Sequence, residues 1–147
     1  MNRTAFFFRA ALSLLPLLPR CAKPTGPGNS LVGEWEWVRS QGGMTGTQTH
    51  TPASTGVAVR WVFAPDSTFQ AYETRQDTTR QTEAGTYSLG SVRSFYTGQS
   101  TRALRFAPLP GTAVPARPVT YVIEELGAQL GLADNCPDGF GHTYRRR

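Results

Sequence analysis

"LVGEWEWVRS", Leu31 to Ser40, sets two of the chain's three tryptophans one residue apart, just behind a glycine. Period-two alternation puts Leu31, Gly33, Trp35 and Trp37 on one face and Val32, Glu34, Glu36 and Val38 on the other, which is the pattern of a half-buried strand. A glycine inside a strand marks a bend or a close backbone approach. Two inward indoles, each with roughly 150–250 Å² to bury, then need a core curved around them. The stretch therefore predicts the first strand of a closed barrel, with Trp35 plugging one end and Trp37 reaching along the same inner face.

The rest of the chain repeats the pattern. "VAVRWVFA" aligns Val57, Val59, Trp61 and Phe63, and "TFQAYET" continues with Phe69 and Ala71. Shorter runs centre on Tyr87, on Leu104 and Phe106, on Val119, Tyr121 and Ile123, on Leu130 and Leu132, and on Phe140, His142 and Tyr144. Gly, Pro, Asn and Asp bound these runs, as strand ends require. Eight strands joined by links as short as Ala64–Ser67 and Glu125–Ala128 predict an all-β, eight-stranded antiparallel up-and-down barrel over residues 31–147. Closure removes the exposed edges of such a meander. A barrel of this size is filled by side chains or holds one small ligand. "SQGGMTGTQTHTPASTG", Ser40 to Gly56, is long enough to act as a flap over such a site.

Residues 1–20 do not belong to the barrel. Arg3, an apolar run from Ala10 to Leu18 and then Cys21 have the layout of a secretory signal peptide. The run is broken by Arg9, Pro16 and Pro19 and is too short to span a bilayer, which takes roughly 20 apolar residues. Cys21 follows Leu18 at the spacing of a bacterial lipobox, although Arg20 stands where a small residue is usual. The Pro/Gly-rich residues 21–30 then read as a tether between a lipidated Cys21 and the domain. This layout predicts an exported chain, held at the cell envelope by a lipid anchor. A disulfide between Cys21 and Cys136 is the alternative in an oxidising compartment.

Net charge does not point to nucleic acid. The formal value of +5 includes Arg3, Arg9 and Arg20, so the chain after residue 20 carries +2, and Arg145 to Arg147 form a basic tail. A nucleic-acid binder needs a concentrated basic stripe. No catalytic motif, phosphate loop, metal-ligand spacing or cofactor signature stands out. His50 and His142 sit in no motif, and Glu34 and Glu36 share an outer face suited to strand arginines. No enzyme activity, metal or cofactor is expected.

Several of these segments together resemble the bacterial lipocalin-like lipoproteins. The likeness rests on Gly33-x-Trp35, on "FAPDSTF" (Phe63–Phe69), on Gly85-Thr86-Tyr87 and on a closing hairpin that ends in Tyr144-x-Arg146. Ser67 departs from the pattern, since that turn usually carries Gly. The resemblance implies an anchored, envelope-exposed small barrel that takes up a small apolar or amphipathic molecule. Trp35, Trp37, Trp61, Phe69 and Tyr121 are its expected lining. A second class stays open, in which a filled barrel works through its outside as an interaction or inhibitor module, using the long loop and the Cys136 turn.

Overall fold

The structure is a computed structural model that describes residues 29–109 and 119–147. The signal segment, Cys21 and nearly all of the tether fall outside the described residues. The strands are β1 (Gly33–Gly42), β2 (Gln48–His50), β3 (Ala58–Phe63), β4 (Thr68–Arg75), β5 (Thr78–Arg93), β6 (Ser100–Pro108), β7 (Val119–Leu126), β8 (Gln129–Asp134) and β9 (Phe140–Arg146); one short helix, α1 (Pro52–Thr55), follows β2. Every neighbouring pair is antiparallel, and β1 also pairs with β9. β1 and β3 to β9 therefore close an eight-stranded up-and-down barrel, the predicted architecture.

Gly33 shows why the first strand needs a glycine. Its φ of +134° lies where side chains are disfavoured, and a Cβ there would come within 2.8 Å of Arg146 Nη1. Arg146 lies over the Trp35 ring at 4.3 Å. Its guanidinium donates to the carbonyls of Val32 and Ser30, and the Trp35 indole donates to the Leu31 carbonyl at 2.7 Å. Trp35 is fully buried. This end of the barrel is a packed plug of Leu31, Trp35, Phe63, Phe69 and Phe106, with Phe69 and Phe106 edge-to-face at 4.6 Å.

Three bulges reset the inward face. Val38 is the extra residue between Trp37↔Tyr144 and Arg39↔Thr143, so Ser40 turns inward where strict alternation would turn it out. Thr82 is the extra residue in β5, and Glu124 the extra residue in β7. Glu124 and its neighbour Glu125, expected on opposite faces, consequently line one outer groove.

Two further features differ from the sequence expectation. β5 is far longer than the short strand expected around Tyr87, because its first half carries polar residues on both faces. Its hairpin to β4 turns at Gln76 and Asp77, both at positive φ, without the Asn or Gly that signals such a turn. The Ser40–Gly56 stretch is also less irregular than expected. Ser40–Gly42 complete β1, β2 pairs back onto them, and Thr51 caps α1 through a reciprocal bond with Ser54.

Candidate functional site

β3 pairs with β1 only from Gly33 to Glu36, and β2 takes over at Ser40. Between those stretches no strand among the described residues pairs with Trp37, Val38 and Arg39 on that edge, and α1 packs against β1. Above the aromatic plug this arrangement leaves a cavity of about 610 Å³, open to solvent. Trp37 and Ser40 of β1 line it, with Val57 just before β3, Val59 within β3, Thr55 of α1, Arg75 of β4, and His142 and Tyr144 of β9. Apolar side chains form the walls, and polar groups gather at two places.

The first polar place is a hydrogen-bond chain. Trp37 Nε1 donates to Ser40 Oγ at 2.9 Å, and Ser40 Oγ lies 2.7 Å from His142 Nδ1. An indole N–H can only donate, so Ser40 Oγ accepts from Trp37, while the direction of its bond to His142 is set by the ring tautomer. In the tautomer that presents Nε2–H toward Asp134 Oδ1, 3.8 Å away, Ser40 is the donor to Nδ1. Asp134 is itself held by the Phe140 amide at 2.9 Å. Burial pushes the His142 imidazole below its ordinary value of 6.5, and Asp134 offsets this only in part. The cavity thus carries a neutral imidazole on its wall at physiological pH.

The second polar place is the rim. Arg75 lines the mouth and is ion-paired with Glu73 on the same strand. Deeper in, Tyr144 and Tyr121 are held protonated by burial. Tyr121 is pushed up to about 12, first by desolvation and then by Asp134 and Glu83.

The expected lining residues divide between cavity and plug. Trp37 is on the cavity wall. Trp35 and Phe69 lie in the packed plug and do not reach the open volume. Trp61 is part-buried between them, edge-to-face with Phe106 at 4.8 Å and tilted against Tyr144 at 5.3 Å. Tyr121 meets the His142 ring edge-on at 5.7 Å. Val57 and Val59 are visible in the alternation of "VAVRWVFA", but nothing in that run marks them as lining. Ser40 is hidden by the Val38 bulge, and His142 by the absence of any nearby motif.

On the surface, Glu34 pairs with Arg60 and Glu36 with Arg145, at 2.9 and 2.8 Å. The β5–β6 loop is clamped to the β8–β9 link: Asn135 bonds the Phe95 amide and the Arg93 carbonyl, and the Tyr96 hydroxyl donates to the Cys136 carbonyl at 2.6 Å. Phe95, Tyr96 and Cys136 are exposed there. Compared with protein-family models, curated proteins and solved structures, the chain matches none.

Proposed function

We propose that the chain is an exported, lipocalin-like binding module, tethered to the cell envelope through lipidated Cys21, that takes up a small amphipathic molecule in its barrel. The cavity carries this reading. Its volume of about 610 Å³ falls within the roughly 300–1,000 Å³ of small-molecule sites. Its build, apolar walls with a few placed polar groups, is the usual one for such sites. A barrel that served only as a scaffold would gain stability by filling that space.

Tryptophan fluorescence tests the reading, because Trp37 faces the cavity and Trp35 does not. Saturable quenching by a member of a panel of lipids, haem and small aromatics, much reduced in Trp37→Phe, is the expected result. An absence of saturable quenching across the panel, with no co-purifying compound, would sink it. Anchoring is tested separately: Cys21→Ser should move the protein out of the membrane fraction. Finding native Cys21 unmodified and disulfide-bonded to Cys136 would decide against the anchor.

A second reading, a module that acts through its outer surface, draws on the exposed Phe95, Tyr96 and Cys136. Two structural links clamp these residues together. That reading gains if the quenching experiment fails.

A further inference from the structure

Period two sets Phe69, Ala71, Glu73 and Arg75 on one face of β4, and the register sets Phe63, Trp61 and Val59 of β3 opposite the first three. The face therefore climbs from the aromatic plug, past the apolar wall, and ends at the cavity mouth in a cation. Among the described residues that line the cavity, Arg75 is the one that carries a charge when His142 is neutral. Its hydrogen bond to Glu73 comes from Nε, so the guanidinium is steadied from one side. Both terminal amino groups have no hydrogen-bond partner among the described residues. That free edge is the planar fork that matches a carboxylate. Across the β4–β5 pairing Glu73 stands opposite Arg80, which makes no ion pair among the described residues. Glu73, Arg75 and Arg80 together line a recess beside the mouth, so two arginines face one glutamate and one positive charge is left unbalanced.

We infer that the cavity takes an amphipathic monoanion, its apolar body against Trp37, Val57 and Val59 and its carboxylate on the free edge of Arg75. This rests on the binding-module reading above. Val57 and Val59 line the cavity together with Arg75, so one extended molecule meets apolar surface and charge in that order from the plug outward. A single negative charge balances the mouth and leaves the Glu73 pair in place. A cationic head group would meet a like charge, because no carboxylate is among the described residues that line the cavity. A neutral head group would leave the mouth unbalanced.

Three probes with one apolar body separate the alternatives: 4-phenylbutyrate, 4-phenylbutanol and 4-phenylbutylamine. Each is titrated calorimetrically into the full chain and into Arg75→Gln at neutral pH. The butyrate should bind the native chain about tenfold more tightly than the alcohol, a step of about 1.4 kcal/mol. In Arg75→Gln the butyrate should fall to the alcohol's affinity. The alcohol itself should be unchanged, which shows that the variant's cavity is intact; Arg75 is an exposed strand-end residue, so the barrel does not depend on it. Equal binding of butyrate and alcohol to the native chain, a butyrate preference that survives Arg75→Gln, or tightest binding of the amine overturns the inference while leaving the module reading in place. Binding of none of the three overturns both.

Discussion

At the scale of single residues, the fold turns on positions where one atom decides the outcome. Gly33→Ala forces a Cβ into positive φ and against Arg146 Nη1 at 2.8 Å. It should cost about 1–3 kcal/mol in chemical denaturation. Glu83 and His142 give stability opposite pH dependences. The Glu83 carboxyl is raised above its ordinary 4.5, so its stabilising contribution is complete below 4.5 and is lost as pH rises through the folded value. Glu83→Gln should therefore raise the Tm of the empty protein at pH 7 and leave it unchanged near pH 4; a Tm that fails to rise at pH 7 would contradict this. His142 is lowered below 6.5, so its contribution is complete above 6.5 and is lost as pH falls through the folded value. Native stability should decline on acidification through that window. His142→Asn should flatten the decline, read from Tm against pH.

At the scale of elements, the turns and bulges mark where the sequence is legible and where it is not. The β3–β4 turn announces itself through Pro65 and Asp66, whose carboxylate accepts from the Thr68 amide and hydroxyl. The β4–β5 turn is silent, because Gln76 and Asp77 occupy left-handed conformations without the residues that favour them. The double substitution Gln76→Asn with Asp77→Gly should stabilise the hairpin by about 1 kcal/mol, measurable as a raised denaturation midpoint. The same contrast runs through the site. Period two exposes the eight walls and the plug residues Trp35, Phe63 and Phe69, since burial of large apolar groups is what alternation records. A bulge breaks the period without changing composition, so nothing in "WVRSQ" shows that Ser40 will meet His142, 102 positions away.

At the scale of the whole molecule, closure is carried by the meeting of β1 and β9, and Arg146 is its clasp. Arg146→Ala removes the stack on Trp35 and the two carbonyl bonds together. It should lower stability by about 3–5 kcal/mol and shift Trp35 emission to the red as water reaches the plug. A loss under about 1 kcal/mol would place closure elsewhere. The opposite end is built differently. There the wall beside β1 is shared between β2 and β3, and β2 pairs with β1 at three positions, Ser40 with His50, Gln41 with Thr49 and Gly42 with Gln48, with the His50 ring against Phe140. β2 is therefore a small strand laid on one end of an otherwise continuous barrel, and its backbone amides should exchange with solvent through local opening, well ahead of those of the barrel strands.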